Sequence, residues 1–160
     1  MVYKKTKKEF DYYIYIDYSK NLIGYMILER ENFKKILSKI SRFRHFKDAR
    51  NKGLYLKNIK NTIKREDIFS YFVKIKIKEM RQNLEIYSDV LDFLKKNENC
   101  LILISVDNHE YSNFKKLVNI VDTGKTEVMK ESELRKNTPE YQISLILDNI
   151  LNIERLKNVK

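Results

Sequence analysis

The residues from Phe10 to Glu31 constrain the fold more than any other part of this sequence. Side chains alternate in the first half: Tyr12, Ile14, Ile16 and Tyr18 on one face, and Asp11, Tyr13, Tyr15 and Asp17 on the other. This pattern predicts a β-strand, and 19–21 (Ser-Lys-Asn) has the residue types of a tight turn. The following residues, 22–29, are apolar on both faces, which predicts a second strand inside the sheet.

Asp17 is the unusual residue of this hairpin. It lies at the end of a strongly apolar strand, where an unpaired charge is costly unless the strand end opens into a polar site. An aspartate at a strand end also commonly binds its local backbone. Both interpretations of Asp17 stay open at this point.

The composition indicates one folded domain, residues 1–160, in which residues 1–9 fray or extend the first strand. A hydrophobic content of 42%, with 3 Gly and 1 Pro, excludes disordered and fibrous classes. No apolar run is long enough to cross a membrane and the first residues lack a signal core, so we expect a cytoplasmic protein. A single cysteine, Cys100, excludes an internal disulfide, and no Cys/His cluster predicts structural zinc.

The positive charge is concentrated in residues 34–65, which we call the basic segment. This segment has 12 Lys and Arg and one acidic residue, Asp48, and its charge equals the net charge of the chain, +11. We expect it to be a basic insertion or helical segment that binds nucleic acid, although a solvated surface in a lysine-rich proteome has the same composition. The candidate nucleic-acid-binding residues are Arg42, Arg44, His45, Lys47, Arg50, Lys52, Lys57 and Lys60.

Periodicity predicts the remaining elements. We expect helices over 32–41, 54–65, from 79 or 83 to 96, 110–121 and 138–156, and strands over 42–48, 68–78, 100–106 and 127–130. Gly53 should mark a loop or a bend, and Asp122-Thr123-Gly124 should end the fourth helix. Lysines on one face of 68–78 indicate an edge strand or a face open to solvent. Strand–helix–strand order in the second half predicts a parallel crossover.

Three carboxylates occupy positions suited to metal binding. Asp17 and Asp107 each end an apolar strand, and Asp148 lies on the last helix. Hydrolysis of phosphodiesters by two metal ions needs acidic side chains from separate elements to converge, so that the two ions lie about 3.5–4 Å apart. In open α/β sheets, sites form where strand ends meet, so we expect Asp17 and Asp107 to lie close together if their strands are adjacent.

The opening hairpin resembles the ribonuclease H-like proteins of domain-of-unknown-function family 3800, whose first strand typically ends in Ile-Asp-Glu-Ser-Gly. Ile16, Asp17 and Ser19 match this motif, whereas Tyr18 replaces the Glu and Lys20 the Gly. After the first helix the family often has Glu-x-His, which corresponds here to Phe43-Arg44-His45. A later strand of the family ends in Asp, as residues 101–107 do. The last helix of the family begins near a Ser and has a Gln-x-x-x-Asp-like pattern, which Ser132 and residues 142–148 resemble.

The resemblance implies an α/β fold: a ribonuclease H-like mixed sheet of about five strands, antiparallel hairpin first, with helices on both faces. It also implies a catalytic Mg²⁺ or Mn²⁺ site at Asp17, Asp107 and Asp148. Tyr18 and Phe43 depart from the family's acidic positions. A fourth ligand could come from Glu79, Glu85 or Glu110, and Ser19 and His109 are accessory candidates.

We therefore expect a metal-dependent nuclease or nuclease-like protein acting on nucleic acid. Two alternatives remain: a non-catalytic nucleic-acid-binding protein on an eroded ribonuclease H-like fold, and an interaction module for an acidic protein. The choice between DNA and RNA, between endo- and exonuclease action, and the oligomeric state are left open by the sequence.

Overall fold

The computed structural model describes residues 9–122 and 125–157. The strands are β1 (Tyr12–Ser19), β2 (Leu22–Glu29), β3 (Phe72–Glu79), β4 (Cys100–Ile104) and β5 (Glu127–Lys130). The helices are α1 (Arg30–Leu37), α2 (Lys52–Arg65), α3 (Asn83–Lys96), α4 (Asn108–Asp122) and α5 (Pro139–Lys157). Short 3₁₀ turns cover Phe46–Asp48, Ile68–Tyr71, Met80–Gln82 and Glu131–Glu133.

The five strands form one mixed sheet in the order β3-β2-β1-β4-β5. β1 pairs antiparallel with β2 and β2 with β3, whereas β1 pairs parallel with β4 and β4 with β5. The predicted mixed sheet, with its antiparallel hairpin first, is confirmed. β3 lies at an edge, as its lysine face indicated, and the adjacency of β1 and β4 is also confirmed.

Helices cover both faces of the sheet, and the alternation along β1 decides which side chains meet which helices. Tyr13 and Tyr15 pack in the core shared with α1, α2 and α5, whereas Ile14 and Ile16 pack in the core shared with α3 and α4. β2 and β4 contribute buried residues to both cores, which explains their continuous apolar sequences. Asp17 follows the period of Tyr13 and Tyr15 and therefore faces the α5 side.

Helix α5 organises the side of the molecule on which Asp17 lies. Its residues 143–153 are all buried, because the helix packs against β1 and β2 and is also covered by α1, α2 and the turn at 46–48. A helix buried on most of its circumference must satisfy its polar side chains internally. Those polar side chains, described below, hold the loop that precedes α2.

Four local predictions were wrong. Residues 42–48 form a loop and a 3₁₀ turn instead of a strand, since Tyr55 and Asn149 side chains bind the backbone of Arg44. Helix α1 starts at Arg30, and the expected capping residue, Asn32, instead donates to the backbone oxygen of Tyr71 at 3.0 Å.

Gly53 lies inside α2 rather than in a loop, since Asn51 caps the helix two residues earlier by accepting from the Leu54 backbone N–H at 3.1 Å. β3 starts at Phe72, since the left-handed Asp67 (φ 51°) opens a 3₁₀ turn at Ile68–Tyr71. Thr123 and Gly124, expected to end α4, lie outside the described residues.

Gly24 and Gly53 predict opposite effects of the same substitution. A Cβ on Gly24 would lie 3.0 Å from the Lys76 backbone oxygen and 3.1 Å from Ile77 Cγ1, so Gly24→Ala should cost about 1–3 kcal/mol of unfolding free energy. A Cβ on Gly53 meets nothing within 4 Å, so Gly53→Ala should add roughly 0.5–1 kcal/mol through helix propensity. Urea denaturation of both variants measures these changes. Equal effects would contradict the packing at β2.

Among the described residues, no helix is both long enough and apolar enough to cross a bilayer.

Candidate active site

Asp17 lies at the carboxyl end of β1, with its side chain only 7% exposed. Its Oδ1 accepts the Tyr18 backbone N–H at 2.8 Å, and the Ser105 hydroxyl also bonds to the carboxylate. Burial raises the pKa of Asp17 well above its usual range, and the nearby carboxylates Glu131 and Asp148 raise it further. The local backbone bond expected of a strand-end aspartate is therefore present, but so are two other acids.

Asp148 reaches the same place from α5 and is also 7% exposed. Its Oδ2 accepts the Phe46 backbone N–H at 2.8 Å, and its Oδ1 lies 3.4 Å from His45 Nε2. Burial raises the pKa of Asp148, and the Phe46 N–H and His45 offset part of that rise. The structure thus brings together two of the three predicted carboxylates, Asp17 and Asp148.

Glu131 is a third member that the sequence reasoning missed. It opens the 3₁₀ turn that follows β5, and burial, followed by the charge of Asp148, raises its pKa to about 7. The Ser144 hydroxyl of α5 bonds to its carboxylate. The signal was available: β5 is parallel to β4 and β1, so a residue directly after it lies at the same sheet edge as Asp17. We call Asp17, Glu131 and Asp148 the acidic cluster.

Asp107 lies at the same end of the sheet but outside the acidic cluster. Ser105 N donates to Ile16 O at 2.9 Å, so Asp107 is two residues beyond the level of Asp17. Its side chain is exposed, and its Oδ1 accepts the Glu110 backbone N–H at 2.8 Å, which caps α4.

The accessory candidates have surface and structural contacts. Ser19 donates to Asn152 Oδ1 and accepts from Arg155 Nε, each at 3.2 Å. His109 is exposed on the first turn of α4 and lies 3.3 Å from the Asn113 amide nitrogen. None of these contacts involves the acidic cluster.

The loop at 42–48 brings the basic segment to the acidic cluster. Besides Asp148, two polar residues of α5 hold this loop: Gln142 donates to the backbone oxygens of Ile40 and Phe43, and Asn149 donates to that of Arg44. His45 is half-buried beside Asp148. The other candidate nucleic-acid-binding residues are exposed: Arg42, Arg44, Lys47, Arg50, Lys52, Lys57 and Lys60.

The donor chemistry of the acidic cluster suits a hard divalent cation. Three carboxylates from β1, the β5 end and α5 are desolvated and repel one another, and a bound cation would relieve both costs. Across residues 9–122 and 125–157, no three His, Cys, Asp or Glu side chains already converge with the spacing of a metal site. The ligand types therefore fit Mg²⁺ or Mn²⁺, and closure around an ion requires side-chain movement.

The raised pKa values predict an unusual pH dependence of stability without metal. A carboxyl with a higher pKa in the folded state binds more protons when folded, so its contribution to stability falls as pH rises through the interval between the two pKa values. For Glu131 that interval extends from 4.5 to about 7. In EDTA, the midpoint temperature of thermal unfolding should decrease as the pH is raised from about 5 to about 7.5. In Glu131→Gln this decrease should be smaller. Identical profiles for both proteins would contradict the burial of Glu131.

The comparisons with known proteins support the fold. No protein-family model and no curated protein matches the sequence, so the resemblance to family 3800 has no support from these searches. Ribonuclease H2 from Pyrococcus horikoshii OT3 is similar in structure, with a TM-score of 0.55 and 12% identity over 92% of this chain and 74% of that chain. Ribonuclease HII from Archaeoglobus fulgidus, in complex with PCNA, gives a TM-score of 0.50 and 9% identity over the same shares. Together with the sheet order, these similarities show that the chain has a ribonuclease H-like fold.

Proposed function

We propose that this protein is a divalent-metal-dependent nuclease or nuclease-like protein that acts on phosphodiester bonds of nucleic acid. The observation that carries the proposal is the position of the loop at 42–48, which joins the basic segment to the acidic cluster through the Phe46 N–H bond to Asp148. A site for phosphodiester hydrolysis needs both parts: carboxylates for metal ions and cations for the phosphate backbone. The structural neighbours are ribonucleases by name, which makes nucleic acid the first substrate class to test.

Asp17, Asp148 and Glu131 are the residues that would hold Mg²⁺ or Mn²⁺, and Asp107 remains a candidate ligand at the rim of the same sheet edge. Such an ion, when bound, activates water and offsets charge on the phosphate. The chain's own residues do the rest. Arg42, Arg44 and Lys47 would bind phosphates beside the site, and His45, next to Asp148, would transfer a proton.

The test is cleavage of labelled single- and double-stranded DNA and RNA by the full chain in Mn²⁺, with EDTA as control. The proposal predicts metal-dependent cleavage of at least one substrate. Cleavage that persists in EDTA would contradict the metal site. Binding without cleavage would favour the second candidate below.

The second candidate function is nucleic-acid binding without catalysis. It is favoured by Tyr18, which stands where the resembling family has a glutamate and is 43% exposed beside Asp17. A site with one carboxylate fewer binds cations more weakly. Binding that falls steeply with salt, is unchanged by EDTA and is never accompanied by cleavage would support this candidate.

Both candidates predict that cations of the loop bind phosphate. Arg42→Ala with Lys47→Ala should lower affinity for nucleic acid of any sequence and reduce the slope of log K against log salt by about 1–2, since each phosphate contact contributes about 0.7–0.9. Fluorescence anisotropy over a salt series measures the slope. Lys95→Ala with Lys96→Ala on α3, on the opposite face of the sheet, is the matched control and should leave it unchanged.

A further inference from the structure

A groove runs between strand β3 and the outer side of α5. It consists of two adjoining depressions of about 360 and 490 Å³ that share Phe69, Ile150 and Glu154. Ile75 and Ile77 of β3 form one wall, and Ile150 and Ile153 of α5 belong to the other. We call this the β3 groove. Both walls of the β3 groove are largely apolar.

The groove leaves large apolar side chains in contact with solvent. Phe69 is 51% and Val73 48% exposed, although both lie next to the buried core of this face. Scattered exposed apolar residues are ordinary, but apolar side chains that line one concave surface mark a binding site. The shape and chemistry of the groove thus fit apolar side chains of a ligand.

The backbone beside the groove is able to accept another strand. β3 is the terminal strand, and no strand in the described part of the chain pairs with its outer edge. Every second residue of such a strand directs its N–H and C=O outward. Lysines usually discourage pairing at an edge. Here α3 neutralises two of them: Lys76 Nζ lies 2.8 Å from Asp89, and Lys78 Nζ lies 3.5 Å from Glu85.

The rim of the groove indicates the charge of its ligand. Lys60 and Lys64 of α2 line the end at Phe69, and both are exposed. Lys74 also lines the groove, but its Nζ lies 3.8 Å from Asp89 of α3. The acidic residues of the groove are Asp67 and Glu154, and Glu154 is paired with Lys157 at 3.0 Å. Lys60 and Lys64 therefore give the α2 end of the groove an excess of positive charge.

We propose that the β3 groove binds an extended peptide segment of a partner protein, which adds to β3 as a sixth strand. Alternate apolar side chains of the peptide occupy the groove, and acidic side chains at one end of the peptide meet Lys60 and Lys64. A second copy of this chain is a poorer occupant, because its β3 strand (FVKIKIKE) offers mostly lysines rather than acidic side chains to Lys60 and Lys64. Nucleic acid is also poorer, because its phosphates would face apolar walls. The inference is independent of the proposed nuclease function.

The test starts from a phage-displayed library of random peptides of about twelve residues, selected on the full chain. We expect enrichment of peptides with apolar residues at every second position and acidic residues at the end that lies beside α2. A synthetic peptide of the enriched sequence is then titrated into ¹⁵N-labelled protein, and the amide signals of residues 72–79 should shift. Phe69→Asp and Lys64→Glu should each weaken binding about tenfold or more, a change of about 1.4 kcal/mol.

Matched controls separate the groove from general surface effects. Leu84→Asp on α3 and Lys116→Glu on α4 change exposed residues of the same types on the other face of the sheet, and should leave the affinity unchanged. Circular dichroism verifies that each variant is folded. The proposal is overturned if selection enriches the same peptides on Phe69→Asp, if enriched peptides are basic, or if the shifted amides lie outside β3. The proposal is also overturned if the β3 amide signals shift on self-association of the protein or on addition of a DNA oligonucleotide, and not on addition of the peptide.

Discussion

Asp17→Asn should abolish metal-dependent cleavage and at the same time stabilise the protein. Loss of one carboxylate from this set of three should lower the cleavage rate by about 10³-fold or more, comparable to removal of a transition-state stabilising group. The amide oxygen still accepts the Tyr18 N–H, but the desolvated charge is gone, and with it the repulsion from Glu131 and Asp148. In EDTA at about pH 7.5, we expect a gain of about 1–2 kcal/mol in unfolding free energy.

The opposite signs of these two effects make the Asp17 experiment specific. Substitution of a residue with a purely structural role would destabilise the protein. Substitution of a residue remote from the site would change neither the cleavage rate nor the stability. Cleavage assays and thermal unfolding on the same preparation measure both. Asp11→Asn, which changes an exposed aspartate directly before β1, is the matched control and should leave rate and stability close to wild type. Equal cleavage by wild type and Asp17→Asn would remove Asp17 from the active site.

The second large effect concerns the loop at 42–48. Gln142→Ala with Asn149→Ala removes the donors that α5 supplies to the backbone oxygens of Ile40, Phe43 and Arg44. Ile40 O keeps the Phe43 N–H and Arg44 O keeps the Tyr55 hydroxyl, so the Phe43 carbonyl is the group most affected. We expect a loss of about 1–3 kcal/mol for the pair. Because the loop carries His45 and Phe46 to Asp148, binding of nucleic acid should weaken as well.

Hydrogen exchange measures this loop effect directly. Amides of residues 42–48 should exchange faster in the double variant, whereas those of β4 should keep their protection relative to global stability. Asn113→Ala, an exposed amide on α4, is the control and should change neither. Unchanged exchange at 42–48 would show that the loop does not depend on α5.

The sequence predicted the fold well where side-chain period and burial agree. β2 and β5 have the expected bounds, and α5 begins at the expected Thr138-Pro139 pair, because the alternation, the continuous apolar runs and the Pro signal are local properties of the chain. The alternation along β1 also placed Asp17 on the face opposite to Ile14 and Ile16. That face proved to be the one covered by α5, which carries Asp148.

Long-range contacts account for what the sequence did not predict. Residues 42–48 alternate like a strand, but polar side chains about a hundred residues away, Gln142 and Asn149, bind their backbone instead of a neighbouring strand. Glu131 lies in a charged stretch that is typical of an exposed turn. Only the parallel pairing of β5 with β4 places it beside Asp148, and that pairing is a property of the sheet.

Diffraction from crystals soaked in Mn²⁺ tests the central claim, that the acidic cluster is a metal site, most directly. The account predicts an anomalous peak between Asp17 and Asp148, within about 2.5 Å of oxygens of both, with Glu131 close to it. The same soak of Asp17→Asn crystals should leave the position empty or weakly occupied. A wild-type crystal without a peak at the acidic cluster, in Mn²⁺ concentrations that fill other surface sites, would contradict it.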